Sequence, residues 1–491
     1  RMGPTEKFAR DVVSRLTIAG PHVRAACRRH LADLKAAHLR GFVFDPAKEQ
    51  RALQFFPLVL RLNGGESEGV PFALDAWQSF CVGSLFGWVK SATGTRRYDK
   101  FYIETGKGSG KSPTVAGIGV YMLVACNEPR AQCYSAAGNK DQAKILFNDA
   151  VAMVKQSPAL SSRMDFSGGP GREWNMMFEP TLGFFRPLAS DTAQSGLRPY
   201  YAVCDELHEH KDATTLNLLT AGKKNHKEAL VGSITNSGFD KSTICGQQHD
   251  YAVDIAHGNK EDDSFFSFVC SLDEGDDPMS DESCWPKANP SLQFINLPGV
   301  DYLRGEVRQA KGMPGKQSGV LRLNFCRWTE AETVFVSRDK WEACEQQYTL
   351  ADFAGCVCYG ALDLSTIHDL TALTLTFERD EKLFTFPTFW LPEGNLTALE
   401  NKAQQPLRAW HEQGWLELTP GAYIDKAFVA ARIVEITAGF DFRELAYDRH
   451  RIGDLIPYLQ QAGCDLPLTP HGQGFFTNKA KEDGTVEVFR A

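Results

Sequence analysis

Thr105-Gly106-Lys107-Gly108-Ser109-Gly110-Lys111-Ser112 is the stretch on which the reading of this chain turns. Its flanks read as an apolar strand before it, Lys100–Glu104, and an apolar helix after it, Ser112–Cys126. A Gly-rich turn between strand and helix lets backbone N–H groups converge on phosphate oxygens, and the helix N-terminus favours their charge. The closing Gly110-Lys111-Ser112 has the chemistry of a P-loop. Lys111 would reach the β and γ phosphates of ATP, and Ser112 would ligate its Mg2+. Gly106, Gly108 and Ser109 complete the expected cradle. The strict spacing wants Gly where Thr105 stands, so the motif is a variant with its first Gly moved to 106. Pro113 is harmless in the first helical turn, where its missing N–H would be unpaired anyway.

A partner motif follows at Tyr200-Tyr201-Ala202-Val203-Cys204-Asp205-Glu206. An apolar strand, Tyr201–Cys204, delivers two carboxylates to the sheet edge. Asp205 is expected to hold the metal hydration shell, and Glu206 to polarise the attacking water. Asp-Glu after a strand says little alone; behind a P-loop it says much. Gln78, after Pro71-Phe72 and Trp77, stands where a Gln can read an adenine edge. Thr235-Asn236 ends a later strand, Ala229–Thr235, where polar groups can sense the γ phosphate. Phosphoryl transfer also wants a cation on that phosphate. Lys107 could supply it in cis, or Arg198 in trans on a neighbouring subunit.

Further strand and helix patterns, at Gln132–Ala136 and Asp141–Lys155, alternate around these motifs, which indicates a parallel α/β sheet. Residues 5–55 read as helical, and residues 238–330 as mixed. A second α/β module starts near Gly355, with strands at Cys356–Leu362, Thr371–Phe377, Phe384–Trp390 and Glu444–Tyr447 and a helix at Asp425–Thr437. The expected organisation is a helical segment at 1–60, an ATPase domain at 61–330, a linker at 331–355 and a second domain at 356–491. In that second domain Asp363 and Asp448 each end an apolar strand, a costly place for a carboxylate without a partner or metal. Converging there with Asp483, they would hold hard divalent cations, and two such ions, Mg2+ or Mn2+, would equip the module to cleave phosphodiesters. His368, Asp369, His450 and Asp454 are nearby candidates for supporting contacts.

Bulk properties narrow the class. With 491 residues the chain exceeds one ordinary core, and 43% hydrophobic against 23% charged residues argues against long disorder. A net charge of −8 disfavours a passive nucleic-acid coat. Two local basic spots remain, Arg96-Arg97 with Lys100, and Lys223-Lys224 with Lys227. The 13 Cys contain no Cys-x-x-Cys pair, and most lie in apolar runs, so they read as reduced and buried. No apolar run is long enough to span a membrane, and the first 30 residues do not read as a signal peptide. Arg1 precedes Met2, so the numbering is expected to begin inside a longer chain.

Taken together, Pro71–Gln78, Gly106–Ser112, Arg198, Asp205-Glu206, Thr235-Asn236, Gly360–Ser365 and Tyr447-Asp448 resemble the large terminase subunit of tailed double-stranded-DNA phages. The resemblance implies a P-loop ATPase domain of the ASCE type fused to an RNase H-like nuclease. It implies ATP-driven movement of double-stranded DNA into a prohead, and metal-dependent cutting of concatemeric DNA. It also implies partners: a small terminase subunit, a portal protein and a homo-oligomeric ring, a pentamer, with an HNH endonuclease as a further candidate. The work would take place in the host cytoplasm, without secretion or a membrane. One departure stands out: Asp483 follows within nine residues of Gly474, where the family runs through more elements. Two other classes compete on the motifs alone. One is a DNA helicase or repair ATPase with an accessory C-terminal fold. The other is a scaffold that uses nucleotide only as a switch, for which Glu206 would be superfluous.

Overall fold

A strand buried on both faces needs helices above and below, and the apolar runs around the Gly-rich loop obtain them by alternation along the chain. The computed structural model describes residues 2–189, 196–329, 341–365, 370–403, 406–447, 452–463 and 466–471. The chain divides into two compact units, Arg1–Lys340 and Trp341–Ala491.

In the first unit β1 (Phe42–Phe44) and β2 (Trp88–Lys90) form a small antiparallel ribbon. The main sheet comprises β3 (Lys100–Glu104), β4 (Gln132–Ala137), β5 (Met164–Ser167), β6 (Asn175–Phe178), β7 (Gly183–Ala189), β8 (Tyr201–Cys204), β9 (Leu230–Thr235) and β10 (Phe265–Val269). Their spatial order is β10-β3-β9-β8-β4-β7-β6-β5. The first six run parallel, and β6 and β5 close one edge as antiparallel strands. β8, β9 and β10 are buried at every residue, as strands covered on both faces should be. β9 lies between β3 and β8. The loop after β3, the carboxylates after β8 and the polar end of β9 therefore emerge side by side at one sheet edge.

The N-terminal helices Pro4–Val13, Pro21–Ala36 and Pro46–Val59 each begin on a proline, where its fixed φ suits the first turn. They share a core with this sheet: Phe8 contacts Phe80 (5.3 Å between ring centroids) and Phe268 (6.5 Å). Asp75 caps the helix Ala76–Gly87, as its sequence position suggests.

In the second unit β11 (Val357–Asp363), β12 (Thr371–Arg379), β13 (Lys382–Pro392), β14 (Glu417–Thr419), β15 (Asp441–Tyr447) and β16 (Leu468–Pro470) form one sheet in the order β14-β13-β12-β11-β15-β16. β11, β12 and β13 are an antiparallel meander, while β15 joins β11 in parallel and β16 joins β15 in parallel. A central first strand, with its meander on one side and parallel strands on the other, is the RNase H-like arrangement. β11 alternates exposed and buried residues, so one face is covered. Val429, Ala430 and Ile433 of the helix Lys426–Thr437 share the buried core with Leu362, Leu373 and Leu375.

The sequence reading misses β1, β2, β5, β6, β7, β10, β14 and β16. β10 follows an acidic run within the stretch read as mixed; it becomes a strand because β3 offers it an open parallel edge. The first basic spot is also internal rather than a surface patch. Arg97, 1% exposed, pairs with Asp33 (2.7 Å) and Asp263 (2.5 Å). Arg96 donates to the Glu228 carbonyl, and Lys100 pairs with Asp262 (3.0 Å).

Replacing Arg97 with Ala should destabilise the first unit by about 3 kcal/mol, the low end for breaking a buried ion pair, because Arg40 still reaches Asp33 at 2.6 Å. The urea midpoint of that unit should fall; an unchanged midpoint would mean that the pairing contributes nothing to stability.

Candidate functional site

The phosphate loop is shaped by positions only glycine can fill. Gly108 (φ 81°) and Gly110 (φ 85°) are left-handed, and a Cβ on Gly106 would come within 2.3 Å of Asn289 Oδ1. Thr105 explains the variant spacing. Its N–H donates to Thr235 O (3.3 Å), so residue 105 still belongs to the strand pairing and needs no glycine. The helix Lys111–Val124 starts without a side-chain cap, which leaves its first amides to an anion.

Around this loop the sheet edge gathers most of the expected residues. Lys111 is buried; its Nζ donates to Asn236 Oδ1 and lies 3.3 Å from Glu206 Oε1. Asp205 is 5% exposed and accepts from the Glu206 N–H (2.9 Å). Burial first, then the neighbouring charge of Glu206, push its carboxyl up to about 7 against the pull of Lys111. Glu206 holds a left-handed backbone (φ 46°), a strained conformation for a residue with a side chain. Its Oε2 makes no hydrogen bond among the described residues and lies 3.4 Å from His208 Nδ1. Burial lowers the neighbouring His208 to about 4, so its ring is neutral near pH 7. The His208 N–H donates to Thr235 Oγ1 (3.1 Å), and Asn236 Nδ2 donates to Leu323 O (3.3 Å). Ser112, in the first helical turn, is half-buried beside Lys111. Gln78 is drawn inward: its Oε1 accepts from the Asp75 N–H (2.9 Å), and its Nε2 lies 3.5 Å from Gly110 O.

The two candidate cations fare differently. Lys107 is exposed at the loop, and its N–H donates to Leu323 O (2.7 Å). Arg198 is exposed at the opposite sheet edge, before β8, with its N–H on Gln132 Oε1 (3.1 Å) at the start of β4. The seven residues from Arg198 to Asp205, much of them extended strand, span roughly 20 Å. Arg198 is therefore kept away from the site of its own chain.

Sequence reasoning misses two groups. Glu104, fully buried at the end of β3, accepts from Tyr102 Oη (2.8 Å), Ser237 Oγ (2.5 Å), His249 (2.7 Å) and Trp328 Nε1 (3.1 Å). Burial alone would raise its carboxyl, but the charge of His249 and these hydrogen bonds outweigh burial and hold it below the usual range. A Glu ending an apolar strand just before the loop was a readable signal. The second group is a lid formed by residues 285–325. Ala288 O accepts from the Gly106 N–H (2.8 Å), and Asn289 Nδ2 bridges to Asn324 O (2.8 Å). No motif announces it.

In the second unit Asp363 is exposed at the end of β11, opposite Ala372 of β12. Leu362 pairs with Tyr447 across the parallel β11–β15 ladder. Asp448 and Asp483, with His368, Asp369 and His450, lie outside the described residues. Asp454 pairs with Lys426 (2.9 Å). Among the described residues no cluster of three or more His, Cys, Asp or Glu could hold a metal ion.

Comparison with known proteins agrees with this division of labour. A family model for "Terminase large subunit, ATPase domain" matches residues 76–254, and one for "Terminase large subunit, endonuclease domain" matches residues 259–482. The second match starts inside the first unit and includes β10. The chain is 28% identical over 432 residues to the large terminase subunit of Enterobacteria phage HK97, covering 87% of this chain and 82% of that protein. It is 20% identical over 358 residues to the terminase large subunit of Lactococcus phage p2, covering 72% and 65%. The crystal structure of the HK97 large terminase aligns over 87% of this chain and 85% of that one, at 26% identity and a TM-score of 0.49.

Because the folded pKa of Asp205 lies above its ordinary value of 3.8, the metal-free protein loses stability as pH rises toward about 7 and regains it on acidification. Asp205→Asn should therefore stabilise the metal-free chain at pH 8 by up to about 4 kcal/mol, a gain that fades near pH 4. Thermal melts in EDTA check this; an equal gain at both pH values would mean packing, not charge, is responsible.

Proposed function

The chain belongs to the large terminase subunit family, and from that premise we infer how its residues share the work of a phage DNA-packaging motor. The family joins an ATPase to an endonuclease: nucleotide hydrolysis moves DNA, and divalent-metal chemistry cuts it. The observation that carries the assignment of roles is the gathering of Lys111, Asp205, Glu206 and Asn236 around one Gly-rich loop at a single sheet edge.

The loop Gly106–Ser112 cradles the phosphates of ATP, with Gly108, Ser109 and Gly110 lining it and Lys111 neutralising the β and γ oxygens. On binding, Lys111 exchanges its contact with Glu206 for one with phosphate, which frees that carboxylate. Glu206 then takes a proton from water as the water oxygen bonds to the γ phosphorus. The bond to the bridging oxygen breaks, and its electron pair leaves with ADP. Ser112 and Asp205 supply hard oxygen donors of the kind Mg2+ prefers, and the raised pKa of Asp205 suits a carboxylate built to face a cation. Bound with ATP, Mg2+ would neutralise charge developing between the β and γ phosphates. Gln78, bonded to Asp75 and Gly110, would have to release one of these contacts to read the adenine edge. Thr235 and Asn236 read the state of the γ phosphate, since Asn236 touches both Lys111 and the lid at Leu323. Lys107 is placed to add charge in cis, and Arg198 to do so only toward a neighbouring chain.

In the second unit we assign Asp363 to metal binding, with Asp448 and Asp483 as its intended partners. Two Mg2+ or Mn2+ held there would activate water and stabilise the leaving oxygen of a phosphodiester. The partners inferred are double-stranded DNA, a small terminase subunit, a portal and sister subunits in a ring, a pentamer, working in the host cytoplasm. No helix among the described residues is long and apolar enough to cross a membrane. The helicase reading is disfavoured by the antiparallel meander of the second sheet, which is not a second RecA-like domain.

Glu206→Gln should lower steady ATP turnover by about 10²–10⁴-fold with nucleotide binding retained. Unchanged turnover would remove Glu206 as the base. Asp363→Ala should leave ATP turnover intact and abolish cutting of plasmid DNA in Mn2+ or Mg2+; persistent cutting would refute the metal assignment.

A further inference from the structure

Of the buried guanidinium groups in the first unit, Arg96 and Arg322 both lack a carboxylate at ion-pairing distance and leave Nε without a hydrogen bond among the described residues, and Arg322 is the one beside the phosphate loop. Arg97 is 1% exposed and sits between two carboxylates, Asp33 and Asp263. Arg96, 6% exposed, donates to the Glu228 carbonyl and lies 5.2 Å over the Phe86 ring. Arg322, 8% exposed on the lid helix Pro314–Phe325, has no carboxylate at ion-pairing distance among the described residues. Its Nη1 reaches only the Ser237 carbonyl, at 3.4 Å, and its Nε has no partner. The ring of Phe239 lies 5.9 Å away. A buried, unpaired cation is a standing cost that an anion would remove.

The position of that cation narrows the anion. Leu323, the next residue, accepts from the Lys107 N–H of the phosphate loop (2.7 Å) and from Asn236 Nδ2 (3.3 Å). Asn236 in turn holds Lys111. Arg322 is thus fixed against the segment 237–239, one residue from the tie that fastens the lid to the loop. Its charge is also felt at His208 and Glu209, which follow Glu206.

We propose that Arg322 is an intramolecular cation for the γ phosphate of ATP, carried by the lid and completed by the nucleotide. The inference rests on the ATPase reading of this site. Its planar, forked guanidinium suits a terminal phosphate, and an anion there ends the uncompensated burial. ADP lacks the phosphate, so Arg322 separates ATP from ADP and ties that distinction to the lid. Arg322 differs from Arg198 in acting on the nucleotide of its own chain.

The test compares wild type, Arg322→Ala and Arg322→Lys by titration calorimetry with Mg2+ and either ATPγS or ADP, alongside thermal melts and ATP turnover. Arg322→Ala should lose about 10- to 100-fold in affinity for ATPγS, the scale of a lost charged hydrogen bond, with ADP affinity unchanged. Arg322→Lys should recover part of the loss. Equal losses for both nucleotides, or a loss that follows a lowered melting temperature, would make Arg322 a clamp of the lid and overturn the proposal. Mixing Arg322→Ala with Lys111→Ala chains should restore no turnover; restoration would place the arginine in a neighbour's site and also overturn it. A wild type that binds no ATPγS removes the ATPase reading and this inference together. Wild-type binding matched by Arg322→Ala removes this inference alone.

Discussion

A parallel sheet with helices on both faces has nowhere to put charge except at the ends of its strands. Every strand from β8 to β10 is buried along its whole length, so a carboxylate or ammonium group within one would be stranded in apolar surroundings. The first unit accordingly gathers its polar chemistry at the carboxyl ends of β3, β8 and β9. Even there the groups are scarcely solvated, and each is held by another: Lys111 by Asn236 and Glu206, Glu104 by His249 and Ser237, Thr235 by His208. Low local dielectric makes these contacts strong and makes any unmatched member expensive. The site is under electrostatic tension before nucleotide arrives. Asp205 is pushed toward neutrality, and one oxygen of Glu206 makes no hydrogen bond among the described residues.

The lid is bonded directly to this edge. Gly106 and Gly108 are required as much by their neighbours as by any phosphate, because a Cβ on either would collide with Asn289 or with Pro298. The N–H groups of Gly106 and Lys107 are spent on Ala288 and Leu323. The early half of the loop is therefore committed to the lid, and the later half, with the uncapped helix start, is left for the ligand. A change at the phosphates has a short mechanical route outward, from Lys111 through Asn236 to Leu323.

What the sequence disclosed follows from how local each feature is. The loop, the carboxylates after β8 and the Asp ending β11 are each written in fewer than ten consecutive residues, and their flanking periodicity gives away the strand or helix that carries them. Even the departure at Thr105 becomes intelligible once its N–H is seen to continue the β3–β9 ladder. Features assembled across long sequence distances stayed hidden. Arg97 read as part of a local basic spot because its partners, Asp33 and Asp263, are far off in the chain. Glu104 read as an ordinary strand residue because His249 and Trp328 arrive from elements with no motif. β10 was missed because its partner β3 lies well over a hundred residues earlier.

The same reasoning bears on the two arginines. Arg198 and Asp205 bracket β8, and the extended strand between them puts Arg198 at the amino edge of the sheet, away from the phosphate loop of its own chain. Any part it takes in hydrolysis must come from a second copy whose loop faces that amino edge. Arg322 is constrained in the opposite way. It is anchored within one residue of a direct bond to Lys107, and it cannot serve a neighbour without first breaking the lid from its own loop. A site that takes one cation from its own lid and another from the next chain reports on two events separately: arrival of the γ phosphate, and arrival of the neighbour. The two signals would be distinct because Arg198 sits at the amino ends of the strands, whereas Arg322 sits on the helix Pro314–Phe325 beside the phosphate loop.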